Sequence, residues 1–314
     1  MLRQVIEAWD LLDSADVGGE DVASRLQERG AKLVKVDRVH GRRGFTDFIK
    51  TTIVGTNGHR RGGDRPTLGI IGQLGGVGAR PEVQGLVSDA DGAATALATA
   101  LKLLDMQRQG DLLDGDVIVT THVCPRAPTI PHEPVPFMGS PVDIGTSMEY
   151  LVEERMGAIL SIDTTRGNRV INRRGFAITP TVKRGYVLRV SEALLDLMSY
   201  VTGRMPAVVP ITTQDITPYG NGVFHINSIM QPAAWTRAAV VGVALTSEVP
   251  VPGCASGASQ PLDIEGAARF CVEVAKSFTS ESISLYDEDE YRLIQQLYGS
   301  MDHLQTKGGG EGLA

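Results

Sequence analysis

A chain of 314 residues, 42% of them hydrophobic, can bury a substantial core as one large domain or two small ones. Its net charge of −7, with no Lys/Arg run, argues against nucleic acid as the main partner. No apolar stretch approaches the roughly 20 residues of a spanning helix, so no membrane partner is expected. The amphipathic, acid-containing first residues do not read as a secretion signal, and three cysteines without a CxxC pair suit free thiols in the cytoplasm.

Met1 to Asp13 reads as a helix with Val5, Trp9 and Leu12 on one stripe, and Asp21 to Arg29 as a second that ends at Gly30. Lys32 to Val39 and Thr46 to Val54 alternate as a β-hairpin around Gly41–Gly44. Thr67 to Gln73 is a short apolar strand. Ser88 to Gln109 is the clearest helix, apolar on more than one face, with Ser88 at the N-cap and Asp91 completing a variant capping box. Val117 to Thr121 is a β-branched run that fits a buried strand.

The segment after it holds His122, Cys124, His132 and Glu133 among six prolines, which stiffen it. Ser147 to Arg155 reads as a helix and Ala158 to Asp163 as another buried strand. Asn172 to Val190 suggests a small ribbon, and Ser191 caps a helix that runs to Gly203. Ala207 to Thr213 is expected as a strand, at an edge because of Pro210. Asn227 to Ala234 is helix-like, and Ala239 to Leu245 is the last buried strand. Helices over Ile264–Phe278 and Glu288–Leu304 follow. Residues 1–305 are read as a single α/β domain, and 306–314 as a disordered tail.

Five apolar runs separated by helices imply a mostly parallel central sheet covered on both faces, a three-layer αβα fold. Polar residues close each run: Gln73, then His122, then Asp163, then Gln214 and Asp215, then Ser247 and Glu248. Ligands in open α/β sheets bind outside the carboxyl ends of the strands, so these residues predict one site. His132, Asp215, Asn221 and His225, with Gln73, are the candidate contacts to a small-molecule substrate, and Glu133 or Glu248 the candidate general base.

Asp89, Asp91, His122 and Asp163 are the candidate ligands of a divalent metal such as Zn²⁺. Helix capping alone would equally explain Asp89 and Asp91. Cys124 and Cys254 offer a metal-free alternative, a two-cysteine racemase or lyase. A non-catalytic small-molecule-binding protein is the third reading. Cys271, on an apolar helix face, reads as core. The LGGVG run lacks the P-loop Lys-Ser/Thr, and no GxSxG elbow is present. A homo-oligomer is the expected assembly.

Two resemblances rest on these residues. The segments Thr121–Asp143, Gly175–Glu192, Ile211–Ile229 and Val251–Ser259 resemble a bacterial and archaeal family of about this length labelled a domain of unknown function. More loosely, the order of elements resembles the co-catalytic zinc exopeptidase superfamily of aminopeptidases and carboxypeptidases. Asp89-x-x-Gly92 opening an alanine-rich helix and the Ser161-Ile162-Asp163 strand end carry that likeness.

The second resemblance implies a phosphorylase/hydrolase-like fold, a metal-dependent hydrolase acting on a small amide or amino-acid derivative, Asp89 as a metal-bridging carboxylate and Asp163 as a terminal ligand. The chain departs from that pattern at three places. Gln73 stands where the family has its first His. His122, Val123 and Cys124 stand where it has a Glu pair. Cys254 to Ser259 stand where it has its last His.

Overall fold

The computed structural model describes residues 1–14, 16–42, 44–73, 86–130, 137–166, 170, 173–211, 228–249 and 259–305. Two helices, α1 (Leu2–Leu12) and α2 (Gly19–Glu28), lead into the hairpin β1 (Val34–Gly41) and β2 (Gly44–Ile53). Then come β3 (Leu68–Gly72), α3 (Asp91–Arg108), β4 (Val117–Val123), the small pair β5 (Thr129–Ile130) and β6 (Phe137–Met138), α4 (Ile144–Leu151) and β7 (Ala158–Thr164). The rest is β8 (Gly175–Ile178), β9 (Val182–Lys183), β10 (Tyr186–Val187), α5 (Glu192–Thr202), α6 (Pro232–Trp235), β11 (Ala239–Thr246), α7 (Pro261–Thr279) and α8 (Glu288–Tyr298).

The main sheet runs β1-β2-β4-β3-β7-β11-β9-β10, with β8 also paired to β11. Its centre, β4-β3-β7-β11, is parallel. The hairpin at one side and the short strands at the other are antiparallel. The central strands are buried at every position except Thr164, half-buried at the end of β7, as continuous apolar runs covered on both faces should be.

Glycines mark which helix lies on which face. A Cβ at Gly72 would stand 2.5 Å from the Gly92 carbonyl and 2.7 Å from the Ala96 Cβ, so this side of β3 is pressed against α3. A Cβ at Gly69 would stand 2.4 Å from Met156 Sδ on the other side. Helices α3 and α7 pack together on the first face with α1, while α4 and α6 cover the second.

Several boundaries differ from the sequence reading. Residues Ser88–Ala90 form a 3-10 turn, so the cap of α3 falls on Ala90, which has no side-chain acceptor, and not on Ser88 as the sequence suggests. Helix α4 starts earlier than expected because Asp143 caps it, accepting from the Thr146 N–H at 2.9 Å. Helix α8 stops at Tyr298 because Gly299 takes φ +80°, and a 3-10 turn follows. The run from Ala207 is not a strand of the sheet among the described residues. It makes a single bridge from Val208 to Ile178, and β8 takes the place beside β11. The ribbon expected before Val190 is the β9–β10 hairpin, which turns at Arg184 and Gly185, both at positive φ.

Candidate functional site

Register builds the site. Thr120 lies opposite Ile71, and Ile162 opposite Gly72. Continuing by two residues and by one places Gln73 between His122 and Asp163, and the Gln73 N–H donates to the Ile162 carbonyl at 2.9 Å. Phe48 faces His122, and Ala244 faces Asp163. His122, Gln73 and Asp163 thus form one row across three parallel strands at their carboxyl ends, on the face opposite α3.

The same edge is the topological switch point. From β3 the chain passes through α3 to β4 on one side; from β4 it passes through α4 to β7 on the other. Crevices open where connections diverge to opposite faces.

All three members of the row are buried. The Gln73 amide donates to Ser161 Oγ at 2.6 Å, while its Oε1 has no hydrogen-bond partner among the described residues. The Asp163 carboxylate accepts from the Thr164 N–H at 2.7 Å. His122 pairs its Nδ1 with Thr46 Oγ1 at 2.9 Å, and that hydroxyl donates to the Val123 carbonyl at 3.2 Å. The imidazole stacks on Phe48, which stacks in turn on Tyr150. Burial drops its pKa to about 4, so it is neutral at pH 7.

On the α3 face of this edge lies a second group. The 3-10 turn carrying Asp89 packs on β7, the strand that carries Asp163. Asp89 itself is buried. Asp91, fully buried at the first turn of α3, is ion-paired with Arg166 from the segment after β7, whose side chain is 3% exposed. Burial pushes the Asp91 carboxyl up to about 6 against the opposing pull of Arg166 and Ser259. Asp263 in the first turn of α7 lies nearby and is itself paired with Arg174 at 3.3 Å. Asp91 Oδ1, Arg166 Nη2 and Ser259 Oγ are buried and lack a well-aligned partner among the described residues, as does Thr246 Oγ1 at the end of β11.

Arg166 is the residue that sequence reasoning missed. A lone arginine three residues past a strand end carries no motif; the one available signal was its place just beyond a buried carboxyl edge.

The remaining predicted residues divide. Glu248 is exposed, which removes the burial that would tune a carboxyl into a general base. Cys124 is buried, donates to the Phe45 carbonyl at 3.4 Å, and has its thiol pushed up to about 12 by burial. A thiol held protonated is a poor base or nucleophile, which weighs against the two-cysteine reading. Cys271 is core. His132, Glu133, Asp215, Asn221, His225 and Cys254 lie outside the described residues, as does Gln214.

A separate cleft of about 590 Å³ lies against α1 and α2, lined by Arg3, Glu7, Asp10, Arg25 and Arg29 among others. Two of its arginines, Arg25 and Arg29, are already paired with Glu7. Among the described residues no helix is long and apolar enough to cross a membrane.

Residues 37–308 match the family described as "Protein of unknown function (DUF1177)", and the chain belongs to that family. Three solved structures align over most of the chain. They are the bottromycin maturation enzyme BotP (14% identity, 88% of this chain and 69% of that one, TM-score 0.49), the Legionella pneumophila LapA aminopeptidase (12%, 88% and 70%, 0.48) and the cytosol aminopeptidase of Coxiella burnetii (13%, 85% and 68%, 0.47). A stretch of 92 residues is 30% identical to the metal transporter Nramp2 of Populus trichocarpa, covering 27% of this chain and only 17% of that protein.

Proposed function

We propose that the chain is a hydrolase-like enzyme that acts on a small amide or amino-acid derivative at the carboxyl edge of its sheet. The observation that supports this most is the row His122–Gln73–Asp163, flanked across the edge by Asp89 and the Asp91–Arg166 pair. Buried polar atoms left without partners cost stability, and they concentrate where a ligand completes them. In this reading Asp163, at the switch point, activates the attacking water, and the Gln73 amide oxygen orients it. Neutral His122, locked by Thr46 and Phe48, walls the crevice and does not take the proton.

The zinc exopeptidase resemblance implies a divalent metal. The described residues do not fit one. They contain no group of three His, Cys, Asp or Glu side chains able to hold an ion. Asp91 is bound to a guanidinium. His122 and Asp163 are separated by a whole strand, about 10 Å between backbones at ~4.8 Å per strand. No step of the proposed reaction is therefore routed through a metal.

The test is a panel of N-acyl amino acids and amino-acid amides, assayed with the purified chain with and without chelator. Hydrolysis of at least one class is expected, falling by about 10²- to 10⁴-fold in Asp163→Asn with the circular dichroism unchanged. No turnover across the panel, or turnover indifferent to Asp163→Asn, would overturn the reading.

A further inference from the structure

Where the first turns of α3 and α7 come together, the buried polar groups have an unusual balance of unmet bonds. Arg166 and Asp91 neutralise each other, yet each keeps one buried polar atom without a well-aligned partner: Nη2, a cationic donor, and Oδ1, an anionic acceptor. The Ser259 hydroxyl, 7% exposed, stands beside the same carboxylate and can donate or accept. Asp263 faces the pair from α7 but is occupied by Arg174. A metal cation is repelled here by Arg166. A simple anion would meet Arg166 but leave Oδ1 unmet and repelled. The complement is a neutral ligand with both charges.

We infer that this polar cluster is a recognition subsite for the head group of a free α-amino acid. Its carboxylate sits on Arg166 Nη2 and the Ser259 hydroxyl, and its ammonium sits on Asp91 Oδ1. Arginine presents several N–H donors in one plane, so Nη1 keeps Asp91 while Nη2 receives the ligand carboxylate. The N-terminus of α7, a helix of 19 residues, adds favourable potential for the carboxylate. This inference rests on the carboxyl edge being the ligand site, and it names the product class: the free α-amino acid released when an N-acyl amino acid or an amino-acid amide, each blocked at one end, is hydrolysed.

The experiment is a thermal-shift and calorimetric comparison on the full chain with glycine, L-alanine, N-acetylglycine, glycinamide, acetate and methylammonium. Glycine and L-alanine are expected to raise the melting temperature by about 2–4 °C at ten times their Kd, by mass action. The four singly functional or blocked probes should shift it by less than a quarter of that. Ser259→Ala should weaken glycine at least about fivefold, the loss of one charge-assisted hydrogen bond. Arg166→Lys should abolish the shift; because that change also disturbs the buried pair with Asp91, Ser259→Ala with native circular dichroism is the decisive variant.

Equal shifts with blocked and unblocked probes would overturn the inference. So would no shift with any of them, which would mean that a water molecule alone completes the three atoms. Amide turnover without selectivity for the free head group would sink the inference and leave the hydrolase reading standing. Selective binding without turnover would do the reverse.

Discussion

Two buried titratable groups set opposite pH dependences at the same edge. His122 is charged below about 6.5 when unfolded but only below about 4 when folded. Between those values the unfolded chain holds the extra proton, so this group's contribution to stability is lost as pH falls from about 6.5 to about 4. The full loss is about 3 kcal/mol. Asp91 runs the other way. Its folded pKa of about 6 lies above the ordinary 3.8, so its contribution declines as pH rises through that interval. Urea unfolding of His122→Asn and wild type from pH 4 to 7 should therefore diverge. Relative to the variant, wild type should lose stability toward acid; parallel curves would mean the imidazole is not held neutral.

The Arg166–Asp91 pair is the other lever at this scale. Arg166→Ala leaves a buried carboxylate alone and should cost about 3–5 kcal/mol by denaturant midpoint. His122 and Asp163 were legible as strand-end residues because each closes an apolar run. Arg166 was not, because its importance comes from reaching back to a helix start 75 residues earlier.

Helix α3 is held to the sheet by two glycines facing each other. A Cβ at Gly92 would stand 2.5 Å from the Gln73 carbonyl and 2.7 Å from the Ile162 carbonyl. Both contacts are backbone, which cannot yield as a side-chain tip would. Gly92→Ala should therefore lift the start of α3 off the strand ends. We expect a loss of about 1–3 kcal/mol in thermal unfolding, together with weaker ligand binding, because Asp89 and Asp91 ride on that turn. An unchanged melting temperature would show that the interface is looser than the backbone distances state.

The helix itself was plain in the sequence from its alanines and leucines. Its start was not. Ser88 and Asp91 have the composition of a cap, but the chain closes a 3-10 turn first and Asp91 turns to Arg166. Tertiary electrostatics overrode the local capping preference.

Over the whole molecule, the apolar runs at β3, β4, β7 and β11 announced the parallel centre of the sheet, and the alternation of β1 and β2 announced the hairpin. The order β4-β3-β7-β11 could not be read in that way, since strand order depends on which face each connection crosses. That order is what brings Gln73 between His122 and Asp163 and makes β3 and β7 the switch point. The Ala207 run misled because β-branched content favours extended backbone without fixing its place in the sheet; among the described residues Val208 is bridged to Ile178 of β8.

If ligand binds at this switch point, a difference map from crystals of Asp163→Asn grown with an N-acyl amino acid or its free amino-acid product will show it there. The predicted result is ligand density touching residue 163 and Gln73, or touching Arg166 and Ser259. Density only in the cleft against α1 and α2, among Arg3, Arg25 and Arg29, would contradict it.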